Sequence, residues 1–112
     1  MYLSGATIVP SPSSETGLYI ETRGGKTVKV AIPTDALAFQ TGEALELATE
    51  GRLRATPHYV RVAPAASAEP ISRSTFALFM QPEVSAVLSP QDTFGSFSKR
   101  VFGEHYEPPV EL

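Results

Sequence analysis

Short runs of alternating apolar and polar residues, separated by Gly and Pro, predict that the first third of the chain is made of β-strands. Residues 1–9 alternate weakly and predict a strand, and a loop rich in Pro and Ser completes the N-terminal segment, residues 1–16. Residues 18–21 and 27–30 then flank the pair Gly24-Gly25. Because Gly readily adopts the positive φ angles of tight turns, this pattern predicts a β-hairpin.

The middle of the chain changes to the period of a helix. An apolar run, residues 36–41, is closed by Gly42. Three acidic residues then recur at helical spacing: Glu43, Glu46 and Glu50. Leu45 and Ala48 fall on another side, so the pattern predicts a short amphipathic helix with a solvated acidic face, ended by Gly51.

The second half predicts two more strands and a second helix. Strands are predicted at residues 57–62 and, longer and more apolar, at residues 72–80. A loop rich in Ala, Pro and Ser, residues 63–70, joins them, so the pattern indicates a second hairpin. Beyond Pro82, either Asp92 or Thr93 is suited to cap a C-terminal helix, residues 93–106. The apolar residues expected on one face of this helix, packing against the sheet, are Phe94, Phe97, Val101 and Phe102.

The order and spacing of these elements favour a mainly β protein. Strands at short intervals with two helices are typical of an antiparallel sandwich or roll. With 112 residues the chain has the size of a single domain, residues 1–112, which would bury roughly two thirds of its unfolded surface.

Charge, cysteine content and the distribution of apolar residues limit which partners and which cellular compartment the sequence predicts. The net charge is −3, and the basic residues are scattered apart from Lys99-Arg100, so neither a nucleic-acid surface nor a polybasic membrane patch is indicated. No cysteine is present, which excludes disulfides and thiolate zinc sites. The first fourteen residues lack a secretory pattern, and no apolar run approaches the ~18 residues of a membrane span. These features predict a cytoplasmic protein.

The chain has two histidines, His58 and His105, so imidazole chemistry depends on one of them. His58 follows Pro57 at the start of a predicted strand, where its side chain can point inward. Such a residue is either a neutral imidazole ligand for a metal or a hydrogen-bonded interior histidine. The spacing alone favours the second alternative, because single histidines on strands are common.

Arg73 and Thr75 form the second candidate group. Arg73 begins an otherwise apolar strand, and a guanidinium that points inward needs a partner, because an unpaired buried charge costs several kcal/mol. A bound carboxylate would satisfy it bidentately, and the hydroxyl of Thr75, two residues on and on the same face of a strand, would add a bond. Alternatively, Arg73 faces solvent or pairs with Glu69.

The remaining sequence patterns are weaker evidence for a metal site or a catalytic function. His105-Tyr106-Glu107 matches the His-x-Glu spacing of some metal sites, but it lies in a Pro-rich tail after a helix, and we interpret it as chance. The chain has no Gly-rich phosphate loop and no nucleophile elbow. Hydrolase and nucleotide-binding functions are therefore not supported.

Several phrases resemble the isopenicillin N synthase-like family of Fe(II)- and 2-oxoglutarate-dependent dioxygenases. They occur in the order and approximate spacing of that family: Gly17-Leu18-Tyr19-Ile20, Ala38-Phe39-Gln40-Thr41-Gly42-Glu43, residues 51–58 and Arg73-Ser74-Thr75. The likeness extends over residues 72–82 and 94–106. It therefore covers the chain from about Gly17 to Tyr106.

This resemblance implies a double-stranded β-helix, or jelly roll, that oxidises a small organic substrate with 2-oxoglutarate as cosubstrate. His58 matches the second histidine of the family's 2-His-1-carboxylate iron site. Arg73 matches the arginine that binds the distal carboxylate of 2-oxoglutarate, and Thr75 stands where the family usually has Ser.

The chain also departs from the family pattern. The family's His-x-Asp should precede the segment that resembles residues 1–7, yet no His precedes His58, so two of three iron ligands and the early strands are missing. We therefore expect an incomplete roll without turnover as this chain alone, and apolar strand faces that lower solubility or pair with another chain. The alternatives are a non-catalytic β-roll that binds a small molecule or a partner, and, less favoured, a cupin-like scaffold without a ligand.

Overall fold

The computed structural model describes residues 1–64 and 70–105, in which short antiparallel sheets dominate. The strands are Tyr2–Ser4 (β1), Thr7–Val9 (β2), Gly17–Glu21 (β3), Thr27–Lys29 (β4), His58–Arg61 (β5) and Ser72–Arg73 (β6), and the helices are Glu43–Ala48 (α1) and Phe94–His105 (α2). The described strands form two three-stranded sheets and no barrel. The prediction of a mainly β protein with two helices is confirmed.

The chain divides into two compact units. The first contains Met1–Phe39 and Thr56–Phe79, and therefore all six strands. The second contains Gln40–Ala55 and Met80–Leu112, of which the described part extends to residue 105 and holds both helices. No described helix has the length and apolar character needed to cross a membrane.

The N-terminal residues form a hairpin and not the single strand that their weak alternation predicts. β1 pairs antiparallel with β2, with Tyr2 opposite Val9 and Ser4 opposite Thr7. Gly5 makes the turn possible, because its φ of 58° is a left-handed conformation that costs a glycine little. The alternation therefore belongs to two three-residue strands.

The hairpin predicted around Gly24-Gly25 is confirmed. β3 pairs with β4, with Glu21 opposite Thr27 at the turn. Of the two glycines, Gly25 has positive φ, at 74°, and its N–H donates to the carbonyl oxygen of Thr22 at 2.9 Å. The turn therefore needs one left-handed residue, where the sequence suggested two.

The prediction of a second hairpin is wrong, because β5 and β6 belong to different sheets. β5 pairs with the edge of β3 opposite β4, whereas β6 pairs with β1. In this arrangement Val60 lies opposite Leu18, so an apolar residue of β5 meets an apolar residue of β3. The predicted connecting loop lies partly outside the described residues, at 65–69.

The long apolar strand predicted at residues 72–80 is also wrong. Only Ser72 and Arg73 belong to β6, opposite Leu3 and Tyr2, and the ladder ends where the Ser74 N–H donates to the carbonyl oxygen of Met1 at 2.9 Å. Residues 74–80 form no helix, strand or turn. A high β-propensity does not produce a strand where the ladder offers no further backbone partner.

In the second unit, backbone hydrogen bonds close the C-terminal end of α1. Its last turn closes as the N–H of Gly51 donates to the Glu46 carbonyl at 2.8 Å and that of Glu50 to the Leu47 carbonyl at 3.1 Å. The helix was expected to expose all its glutamates, but Glu46 is half-buried and its Oε2 accepts from the Ala55 N–H at 2.5 Å. The predicted apolar side is also wrong, since Leu45 and Ala48 are both exposed.

α2 confirms the predicted C-terminal helix as far as the structure describes it, and Tyr106 lies outside that part. Thr93 caps it: its Oγ1 accepts from the Ser96 N–H at 3.3 Å, while the Thr93 N–H donates to the Ser96 Oγ at 3.0 Å. Leu88 and Phe97 are the buried apolar residues of the described chain. Phe102, predicted on the same face, is 58% exposed.

Candidate functional site

His58 is the first residue of β5, on the apolar face of the sheet β4-β3-β5. It lies directly opposite Ile20, and residues opposite each other in an antiparallel ladder project from the same face. The strand alternation places the other apolar side chains of the sheet on this face: Leu18, Val28 and Val60. The position after Pro57 suggested that His58 can point inward, but its side chain is exposed.

The ring of His58 is oriented by its own strand. Its Nδ1 lies 3.0 Å from the carbonyl oxygen of Thr56, and a carbonyl only accepts, so Nδ1 carries the proton of this bond. In the neutral ring the lone pair is then on Nε2. A histidine fixed through Nδ1 in this way has the tautomer that metal ligation through Nε2 requires.

Arg73 is the last residue of β6, the edge strand of the sheet β2-β1-β6. Its side chain is exposed, and its guanidinium forms no ion pair or hydrogen bond with residues 1–64 or 70–105. Its side chain therefore faces solvent in this structure, and Glu69, the other alternative partner, lies outside the described residues. Thr75 follows just beyond β6 and is also exposed.

The structure does not place His58 and Arg73 on neighbouring strands. His58 belongs to the sheet of β3, and Arg73 belongs to the sheet of β1. Both lie in the first unit. The assignments of His58 to a metal and of Arg73 and Thr75 to 2-oxoglutarate stay predictions.

Acidic and imidazole groups are dispersed over the part of the chain that the structure describes. Residues 1–64 and 70–105 contain no group of three His, Asp or Glu side chains placed to hold one metal ion. The His-x-Glu candidate, His105-Tyr106-Glu107, falls largely outside this part, including the side chain of His105.

The polar face of the same sheet holds an aromatic stack that the sequence analysis did not identify. Tyr59 lies opposite Tyr19, with ring centroids 5.6 Å apart and planes inclined by 12°. The Tyr19 hydroxyl donates to the Glu15 carbonyl at 2.8 Å, and Arg61 pairs with the Glu15 carboxylate at 3.3 Å. Successive side chains of a strand project to opposite faces, so in Tyr19-Ile20 and in His58-Tyr59 the tyrosine lies on the polar face and its neighbour on the apolar face. This alternation is the sequence feature that distinguishes the two faces.

Comparison with protein-family models, with curated proteins and with solved structures finds no match for this chain. The functional interpretation therefore depends on the residues of the chain itself and on their geometry.

Proposed function

We propose that this chain is the C-terminal part of a Fe(II)- and 2-oxoglutarate-dependent dioxygenase jelly roll, acting in the cytoplasm on a small organic substrate. The observation that carries the proposal is the setting of His58: a strand-borne imidazole on an apolar sheet face, with Nδ1 bonded to the Thr56 carbonyl. The resemblance of the sequence around His58 and Arg73 to that family supports the same reading.

In this proposal each residue has a separate task. His58 donates the Nε2 lone pair to iron, and the Thr56 carbonyl keeps the ring in that tautomer. Arg73 binds the distal carboxylate of 2-oxoglutarate, and its guanidinium has no partner among the described residues that would compete. The Thr75 hydroxyl adds a hydrogen bond to the same carboxylate.

The described residues do not fit a complete iron site. They supply one imidazole and no cluster of three ligands, so no catalytic step through iron follows from this chain alone. We expect it to produce no succinate from 2-oxoglutarate. Succinate formation by the purified chain would contradict this expectation.

The second candidate function is a non-catalytic β-roll that binds a partner. The observation that favours it is the run of exposed apolar side chains directly after β6, among them Phe76, which is 96% exposed. Surfaces of this kind mark interaction sites in soluble proteins.

Metal binding separates the two functions. We would add Mn²⁺, a paramagnetic stand-in for Fe(II), to the isotope-labelled chain and record the broadening of backbone amide resonances. The dioxygenase proposal predicts selective broadening at Ile20 and Val60, the neighbours of His58 on the apolar face. His58→Ala should abolish it, and His105→Ala is the matched control that should leave it unchanged.

Binding of 2-oxoglutarate tests the second half of the site. We expect weak binding, detected by saturation transfer to the ligand, that Arg73→Gln reduces at least fivefold. Arg52→Gln, which removes another exposed arginine from the other unit, should leave binding unchanged. If the His58 variant still bound the metal and the Arg73 variant still bound 2-oxoglutarate, the non-catalytic β-roll would be favoured.

A further inference from the structure

Tyr2 lies beside Arg73 on one face of the sheet β2-β1-β6. The two residues are directly opposite each other in the antiparallel β1–β6 ladder. The next pair along, Met1 and Ser74, exchanges both of its backbone hydrogen bonds, of 3.2 and 2.9 Å. Hydrogen-bonded and non-hydrogen-bonded pairs alternate along such a ladder. Tyr2 and Arg73 therefore form a non-hydrogen-bonded pair, the type in which opposite side chains come closest.

The hydroxyl of Tyr2 is available to a ligand although the residue is half-buried. It makes no hydrogen bond with residues 1–64 or 70–105. Every buried side-chain polar atom in this part of the chain has a partner, so the unpartnered hydroxyl of Tyr2 is accessible to solvent. A phenol in this position can donate one hydrogen bond to an incoming oxygen atom.

The charge on this sheet is positive and unpaired. Arg73 is the only charged residue of β1, β2 and β6. Its guanidinium forms no ion pair or hydrogen bond with the residues that the structure describes. Val9 lies opposite Tyr2 on the other side, so the row across the sheet contains an apolar residue, a phenol and a guanidinium, and no acidic group. Such a row is complementary to a carboxylate, which only accepts hydrogen bonds.

We propose that Tyr2 is a further binding residue for 2-oxoglutarate, and that its hydroxyl donates a hydrogen bond to the distal carboxylate held by Arg73. The inference rests on the proposed function, which supplies this carboxylate. It adds a residue that precedes Gly17, where the family resemblance begins. The two oxygens of a carboxylate offer about four acceptor positions, enough for a guanidinium and a phenol together. The ring of Tyr2 also excludes water from one side of the ion pair, which strengthens the attraction.

Tyr2→Phe tests this contact, because it removes the hydroxyl and keeps the ring. We would titrate the full chain with 2-oxoglutarate and measure binding by saturation transfer to the ligand. We expect the dissociation constant to rise about fivefold in Tyr2→Phe. Tyr59→Phe is the matched control, because it removes the hydroxyl of an exposed tyrosine in the other sheet, and it should bind like the wild type. Backbone amide spectra show whether both variants keep the fold.

Glutarate, which has the carboxylates of 2-oxoglutarate without its oxo group, identifies the part of the ligand that Tyr2 contacts. Tyr2→Phe should weaken glutarate binding by the same factor, and an effect confined to 2-oxoglutarate would overturn the contact with the distal carboxylate.

The Arg73→Gln variant separates this inference from the proposed function. If Arg73→Gln weakened binding while Tyr2→Phe bound like the wild type, or no more weakly than Tyr59→Phe, the role of Tyr2 would be overturned and the proposed function would stand. Unchanged binding in Arg73→Gln, or no binding by the wild-type chain, would overturn the proposed 2-oxoglutarate site and the contact from Tyr2 with it.

Discussion

Tyr59 stacks on Tyr19 across the β3–β5 ladder, with ring centroids 5.6 Å apart. Aromatic pairs of this kind contribute about 0.5–1.5 kcal/mol beyond the burial of their area. We expect Tyr59→Ala to lower the free energy of unfolding by about 1–2 kcal/mol, since it removes both the stack and part of the burial. Urea unfolding at one fixed protein concentration measures the change. Tyr59→Phe keeps the ring, and a loss as large as that of Tyr59→Ala would contradict a role for stacking.

Thr16 supplies a hydrogen bond that its neighbours do not replace. It is the buried polar residue of the described chain, and its Oγ1 accepts from the Ala63 N–H at 3.0 Å. Thr16→Val keeps the shape but leaves that half-buried donor without an acceptor, which costs about 1–3 kcal/mol. Thr16→Ser retains the oxygen and should lose less stability in the same denaturation experiment. The prediction fails if the two variants are equally stable.

Glu50 adopts a left-handed backbone conformation, with φ of 51°, at the end of α1. This conformation strains an L-residue with a side chain, whereas glycine adopts it freely, at the cost of a more flexible unfolded chain. We expect Glu50→Gly to stabilise the protein by about 0.5–1 kcal/mol. The readout is the urea midpoint.

At the next residue, Gly51, replacing glycine by alanine should have the opposite effect on stability. Its φ is 77°, and its N–H closes the helix on the Glu46 carbonyl, so Gly51→Ala should destabilise by about 1 kcal/mol. If Glu50→Gly also destabilised, the strain assigned to Glu50 would be wrong.

Gly95 lies against Val84 at the start of α2. A Cβ at Gly95 would come within 2.7 Å of Val84 Cγ1 and 3.1 Å of the Val84 carbonyl oxygen, whose bond with the Gly95 N–H holds the two segments together. We therefore expect Gly95→Ala to cost about 1–3 kcal/mol, as overpacking does. Val84→Ala removes Cγ1 and should recover part of this loss in the double variant. A double variant whose loss equals the sum of the two single losses would contradict a clash between these side chains.

Local sequence features predicted the elements that depend on few partners. The β3–β4 hairpin follows from its glycines and flanking alternation, and the capped α2 follows from Thr93 and the spacing of its aromatic residues. In both, the hydrogen bonds that define the element are made within the element or its cap, so a short window of sequence contains the cause.

Non-local pairing was predicted poorly. The partners of β5 and β6 are β3 and β1, tens of residues earlier, and alternation does not encode which edge a strand joins. The same limit applies to the candidate site: His58 and Arg73 were identified by residue type, but their assignment to different sheets is a property of the ladders.

The sequence by itself determined that the chain is mainly β and where the β3–β4 turn and the helices lie, and it predicted His58, Arg73 and Thr75 as candidate ligands for a metal or a carboxylate. Only the tertiary structure decided that the apolar run after Arg73 has no strand partner within residues 1–64 and 70–105, that Glu46 accepts a hydrogen bond from the Ala55 N–H, and that His58 is exposed on the apolar face of its sheet. The physical reason is that burial and backbone pairing depend on which distant segments meet, whereas turns and helix caps are satisfied within a few residues.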